Sequence, residues 1–184
     1  MFSGQYSEST EAVTAAAYII DMTIRKAVPA DIPYLLEIYN FEVENGTATL
    51  DLDKKTLPEW EGWYYDHGTD NHPLIVCELE GRVAGYATLS SYRHKQAYSS
   101  TVELSVYVSP DFRRRGVGEA LTREILSMAR ENPSLHTVVS VITSGNEASV
   151  RLHEKLGFTY CGTIKEVGIK HGRYVDIDNY SLFV

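Results

Sequence analysis

The sequence predicts an α/β domain built on a mixed sheet with flanking helices, and three observations predict it. Thr101 to Val108 alternates cleanly, with Val102, Leu104, Val106 and Val108 on one face and Glu103, Ser105 and Tyr107 on the other. A helix-period run follows from Val117 to Arg130, where Leu121, Ile125, Leu126 and Ala129 share one face. Upstream, Leu74 to Leu79 and Val83 to Ser90 read as strands joined by a glycine turn at Glu80-Gly81-Arg82. Strand–helix alternation on this scale builds a layered α/β fold.

The remaining elements complete the order β-α-α-β-β-β-α-β-α-β-β. Thr23 to Ala27 is a short strand. Pro29-Ala30-Asp31 starts a helix whose Ile32, Leu35, Leu36 and Tyr39 keep the i, i+3, i+4, i+7 spacing of a buried face. The polar stretch Asn40 to Asp53, with Asn45-Gly46 as a turn signal, predicts a loop. Leu57 to Asp66 carries Trp60, Trp63 and Tyr64 at helical spacing, an aromatic stripe that suits packing. Val138 to Ile142 is a β-branched strand. Asn146 caps a helix that Gly157 closes, and Phe158 opens the next strand. Tyr174 to Val184 is strand-like, and Lys170-His171-Gly172 marks the turn before it.

Length and composition set limits on function. The 184 residues suit one domain, with 43% apolar and 23% charged residues. The formal charge of −8 lacks the cationic field of a general nucleic-acid binder. No apolar run reaches the roughly 20 residues that span a bilayer, so no membrane role is expected. Cys77 and Cys161 lie far apart without CxxC spacing, and His67 and His72 stand alone in a polar loop, so no metal site is expected. A reducing, cytoplasmic compartment fits this cysteine usage. Residues 1–21 carry acidic residues but no Lys, Arg or His ahead of Ala15 to Ile20, unlike a secretory signal. They read as an extension, and Met22 to Val184 as the single domain.

The segment Asp111-Phe112-Arg113-Arg114-Arg115-Gly116-Val117-Gly118-Glu119 lies between a strand and a helix. Gly116 and Gly118 let the backbone approach a ligand, and the helix start offers unpaired N–H donors and a positive dipole end. Three arginines add charge, so the segment suits a phosphate; a solvated basic turn is the plainer alternative. It is not a Walker-type loop, because no Gly-Lys-Ser/Thr follows, nor a dinucleotide fingerprint, because the third glycine is missing.

The strand Ser105-Val106-Tyr107-Val108, the Arg-x-x-Gly-x-Gly turn and the helix from Asn146 to Leu156-Gly157-Phe158 resemble the GNAT acetyltransferases. Within them the chain is similar to phosphinothricin and methionine-sulfoximine N-acetyltransferases, through Tyr98-x-x-Thr101-Val102-Glu103, Val106-Tyr107-Val108-Ser109, Ser149-Val150-Arg151-Leu152-His153-Glu154 and Lys170-His171-Gly172. The resemblance spans essentially Met22 to Val184. It implies a mostly antiparallel sheet whose central strand pair splays, so that Val106, Tyr107 and Val108 can pair with the pantetheine of acetyl-CoA. It also implies that Arg113, Arg114, Arg115, Gly116, Val117, Gly118 and Glu119 hold the pyrophosphate, and that Asn146 serves the pantetheine region as well as capping its helix.

By the same resemblance Glu103 is the general base for the acceptor amine, and an N–H around Val106 polarises the thioester carbonyl. His153 takes the helix position where the wider superfamily usually has a proton-donating Tyr; taken alone, a histidine on a helix is more often a satisfied structural residue. Arg93 matches a cationic position that could hold an acidic group of the acceptor, with a surface arginine as the alternative. Tyr98 and the Asn45-Gly46-Thr47 loop could line the acceptor pocket or be loop structure. The implied activity is acetyl transfer from acetyl-CoA to a small amino-acid-like amine, without a metal, in a homodimer. The alternatives are a protein N-terminus or polyamine as acceptor, and a non-catalytic acyl-CoA-binding sensor.

Overall fold

A computed structural model of the protein describes residues 22–69 and 71–184, so the expected extension at 1–21 lies outside the described residues. The strands are β1 (Met22–Lys26), β2 (Leu74–Leu79), β3 (Arg82–Ser91), β4 (Thr101–Val108), β5 (Thr137–Thr143), β6 (Thr159–Lys170) and β7 (Arg173–Phe183). The helices are α1 (Ile32–Asn45), α2 (Leu57–Tyr65), α3 (Val117–Glu131) and α4 (Glu147–Lys155). The strands form one sheet in the order β1-β2-β3-β4-β5-β7-β6. Every neighbouring pair is antiparallel except β4 and β5, which run parallel.

Strand alternation gives the sheet two faces with different tenants. Val102 and Leu104 of β4, with Val138 and Ile142 of β5, pack under Leu121, Ile125 and Leu126 of α3. On the opposite face Ile32, Leu35 and Ile38 of α1 and Trp60 of α2 cover Leu74, Val76 and Tyr86. The aromatic stripe of α2 does pack: Trp60 stacks on Trp63 with ring centroids 4.5 Å apart. Its helix starts at a capping box, in which the Thr56 N–H and hydroxyl both donate to Glu59 (2.8 and 2.6 Å).

One element differs from the sequence expectation. The stretch from Asn40, read as loop, continues α1 to Asn45, and the loop begins at Gly46. The polar residues there are not loop residues, because Val43 and Glu42 keep the buried stripe going. Asn40 instead ties the far side of the loop, accepting from the Lys55 N–H (2.8 Å) and donating to the Lys55 carbonyl (2.9 Å). Lys170, only 2% exposed at the end of β6, donates to the carbonyls of Val43 (2.8 Å) and Asp51. The C-terminal hairpin thereby fixes the loop that supplies Asp51 to a cavity.

Candidate active site

The basic segment follows β4. Phe112 is buried and anchors it, with the guanidinium groups of Arg82 and Arg115 over its ring at 5.0 and 5.5 Å. Arg114 (φ 59°) and Gly116 (φ 85°) are left-handed, and the first ladder bond of α3 runs from the Ala120 N–H to the Gly116 carbonyl (3.0 Å). Among the described residues the amides of Arg114 to Glu119 therefore have no acceptor. Consecutive unpaired N–H groups at a helix start make a site for an anion. Neither backbone strain nor crowding demands glycine at 118: an added Cβ would meet Val108 and Leu152 only at 3.6 and 3.8 Å.

The charges around this turn are more balanced than the sequence suggests. The Arg113 guanidinium pairs with the buried Glu42 of α1 and lies over the Phe41 ring at 5.6 Å. Arg115 pairs with Glu80. Arg114 is exposed, and among the described residues no carboxylate pairs with it. The Glu119 carboxylate sits below its ordinary pKa because Lys155 (2.7 Å) and Arg123 (2.8 Å) hydrogen-bond to it. An acid in the first turn of α3 is thereby prevented from repelling an anion.

Beside this turn the sheet opens. The β4–β5 ladder holds only Thr101, Val102 and Glu103 against Thr137, Val138 and Val139, although β4 runs on to Val108. The Ser109 N–H bonds to the Ala84 carbonyl at 2.9 Å, so alternation turns the N–H groups of Tyr107 and Ser105 toward β3. Those of Val106 and Val108 then face the gap. The strand splay and its free backbone groups are in place for an extended amide-bearing arm.

Glu103 is the last rung of that ladder. It shares its face with Ser105 and Tyr107, and stands opposite Ser90 of β3. Burial pushes its carboxyl pKa up. The same face holds a cavity of about 200 Å³ walled by Tyr39, Trp60, Trp63, Tyr86 and Tyr107. Ser90 and Ser105 line its edge nearest Glu103, and Asp51 and Lys55 close another side. Asp51 is held by the Tyr39 hydroxyl (2.7 Å) and Lys55 (2.8 Å). These groups were not picked out in the sequence, though the alternation Tyr86, Thr88, Ser90 on β3 is a legible signal for a polar patch on one face.

The other expected residues fall in different places. His153 is 4% exposed on α4. Its Nδ1 lies 2.8 Å from the Ser149 carbonyl, which can only accept, so Nδ1 carries the proton. Its Nε2 then accepts from the Ser140 hydroxyl at 2.7 Å. Burial lowers its pKa, and the neutral ring sits edge-on to Phe158 at 4.8 Å. Ser140 has the parity of Val138 and Ile142, so His153 lies on the α3 face and Glu103 on the α1 face. The structure thus does not bring these two together, and it gives His153 the geometry of the structural alternative. Asn146 caps α4 by accepting from the Ser149 N–H (3.2 Å). Arg93 is exposed between Tyr92 and Tyr98, with its guanidinium 5.0 and 5.7 Å from their rings. Tyr98 packs edge-on to Tyr92 and does not line the cavity. Thr47 gives its carbonyl to the Thr143 hydroxyl (2.6 Å), so the 46–56 loop reaches the site through Asp51 and Lys55 instead. Among the described residues no group of three or more His, Cys, Asp or Glu could hold a metal ion, and no helix is long and apolar enough to cross a membrane.

Residues 35–158 match the model of the acetyltransferase (GNAT) family. The chain belongs to that family. Among the relatives of this GNAT chain is the L-methionine sulfoximine/L-methionine sulfone acetyltransferase of Pseudomonas aeruginosa, 38% identical over 156 residues, which are 84% of this chain and 90% of the relative. The phosphinothricin N-acetyltransferase of Streptomyces coelicolor is 37% identical over 164 residues, 87% of this chain and 95% of the relative. Among solved structures, a GNAT superfamily phosphinothricin acetyltransferase from Sinorhizobium meliloti in complex with acetyl-CoA has a TM-score of 0.85 at 34% identity. That likeness covers 89% of this chain and 88% of the other. The GNAT resemblance and α/β fold expected from the sequence both stand, and the chain is an acetyl-CoA-dependent acyltransferase by family.

Proposed function

We propose that this GNAT enzyme transfers the acetyl group of acetyl-CoA to the amine of a small amino-acid-like acceptor, of the methionine sulfoximine, methionine sulfone or phosphinothricin type. The observation that carries the proposal is the placement of Glu103, a carboxylate with a raised pKa at the point where β4 and β5 part, on the face that holds the aromatic cavity. Relatives 37% and 38% identical that are named for these acceptors support the substrate class.

The amides of Arg114 to Glu119 hold the diphosphate, with Arg113 and Arg115 beside them, and the backbone of Val106, Tyr107 and Val108 guides the pantetheine arm, with Asn146 at its side. When bound, acetyl-CoA supplies the thioester carbon that the amine attacks. Glu103 takes the proton from the acceptor ammonium, which a raised pKa suits better than a fully ionised surface acid would. The Val106 N–H faces the gap and stabilises charge that develops on the carbonyl oxygen. His153 locks α4 to β5 and supplies no proton; as the amide forms the C–S bond breaks, and the departing CoA thiolate takes the proton shed by the attacking nitrogen. Arg93, exposed in the segment after β3 with Tyr98 beside it, holds an acidic group of the acceptor.

The enzyme works in this reading without a metal, in the cytoplasm and as a homodimer. The outer strand β6 supports the homodimer, because Ile164, Val167 and Ile169 are exposed along it. The exposed free Cys161 suits a reducing compartment. The test is CoA release measured with a panel of methionine sulfoximine, methionine sulfone, phosphinothricin, free amino acids, peptides and polyamines. Rapid release with the first three is expected. Preference for peptides or polyamines would reassign the acceptor, and tight acetyl-CoA binding with no release on any amine would favour a sensor.

A further inference from the structure

His67, in the loop after α2, faces the cavity from outside and touches it through one serine. Its ring lies on Trp63 with centroids 4.4 Å apart. Nδ1 is 2.7 Å from the Trp63 carbonyl, and Nε2 is 2.9 Å from Ser90 Oγ. A carbonyl only accepts, so Nδ1 carries the hydrogen and Nε2 is bare. The Ser90 hydroxyl must then donate to Nε2, which leaves its oxygen lone pairs for the cavity it lines. Ser90 is the register partner of Glu103 on the same face.

We propose that His67 is a positioning residue for the acceptor amine: by pinning the Ser90 hydrogen outward, it makes Ser90 Oγ a pure acceptor beside the Glu103 carboxylate. An ammonium group then meets two acceptors instead of a carboxylate and a competing O–H. The inference rests on the assignment of the acceptor amine to the Glu103 side of the cavity. Protonated His67 would donate from both nitrogens and turn the Ser90 hydrogen toward the ammonium. The titratable groups around it are His72, whose ring centroid is 6.3 Å away, its neighbour Asp66, and Glu103 across Ser90. Burial keeps His67 neutral to below the ordinary imidazole range, so the acceptor arrangement holds at neutral pH.

The test is steady-state kinetics with methionine sulfone and acetyl-CoA for wild type, His67→Phe, His67→Gln, Ser90→Ala and the His67→Phe/Ser90→Ala pair, with thermal melts alongside. His67→Phe should raise the KM for methionine sulfone about tenfold, the scale of one hydrogen bond to a charged group, and leave the KM for acetyl-CoA unchanged. The double variant should be no worse than Ser90→Ala, because His67 acts only through that hydroxyl. As pH falls through the lowered His67 value the wild-type KM for methionine sulfone should climb, and His67→Gln should remove that climb while Glu103 still titrates. Multiplying losses in the double variant, an unchanged KM in His67→Phe, or a low-pH climb that survives His67→Gln would each overturn the proposal. Glu103→Gln run in parallel separates this from the underlying assignment: full activity there, or no wild-type turnover of methionine sulfone, removes the acceptor site and the role of His67 with it.

Discussion

One added methyl group at Gly85 should loosen the proposed coenzyme site by pressing on the backbone that frames it. Gly85 lies on β3 where the end of β4 and the start of α3 converge. A Cβ there would sit 2.7 Å from the Tyr107 carbonyl oxygen, and 3.2 Å from both Val108 Cα and Val117 Cγ1. The first contact is too short by roughly half an ångström, and its partner is backbone that cannot swing aside. Relief requires β4 to move at Tyr107 and Val108, or α3 to move at Val117, whose own N–H is one of the unpaired amides at the helix start. Overpacking of this kind costs about 1–3 kcal/mol. For a chain of this length that lowers Tm by about 2–12 °C. If half of the strain falls on the loop, acetyl-CoA affinity drops by roughly threefold to tenfold. Differential scanning fluorimetry and isothermal titration of Gly85→Ala with acetyl-CoA give both numbers. Wild-type Tm together with wild-type affinity would refute the claim that this packing holds the amides in place.

Other perturbations separate the parts of the site. Glu103→Gln should cut kcat about 10²- to 10⁴-fold with acetyl-CoA affinity unchanged, and should abolish the rise of kcat/KM with pH as Glu103 deprotonates. Its raised pKa means that the folded state holds this proton more tightly, so stability is lost as pH rises through the folded value, and the Gln variant should melt higher than wild type at pH 7. His153 has the opposite sign: its folded pKa lies below 6.5, so its contribution is complete above that value and is lost as pH falls below it. His153→Gln should lower Tm at pH 7 by the cost of about 1–3 kcal/mol for Ser140 and Ser149 left poorly paired, and flatten part of the decline between pH 7 and 5. Lys170→Met strips the donor from the Val43 and Asp51 carbonyls, and should lower Tm by several degrees and raise the KM for the acceptor more than that for acetyl-CoA.

Much of the fold was open to reading along the chain, because its signals are local. The alternation of Thr101 to Val108 matches β4 residue for residue, and the Asn146 and Gly157 signals end α4 where expected. The end of α1 was hidden because Glu42 is a buried acid, whose ion-pair partner Arg113 lies 71 residues away. The turn between β4 and α3 was legible from glycine and helix order. Its electrostatics were not, since Glu42 and Glu80 reach it from other elements. The cavity is assembled from α1, the following loop, α2, β3 and β4, and no short window of sequence contains it. The separation of Glu103 from His153 depends on which face each strand residue takes, a property fixed by the sheet order and by Ser140 beneath α4.

In the proposed mechanism, bare main-chain nitrogens at the start of α3 hold the diphosphate while the parted strands direct the thioester to Glu103. A crystal structure of the enzyme with acetyl-CoA tests it most directly. The account predicts diphosphate oxygens within hydrogen-bond distance of the amides between Arg114 and Glu119, the arm between β4 and β5, and the acetyl group opening onto the Glu103 face. Coenzyme bound at another surface, or an acetyl group on the His153 side with Glu103 turned away, would contradict it.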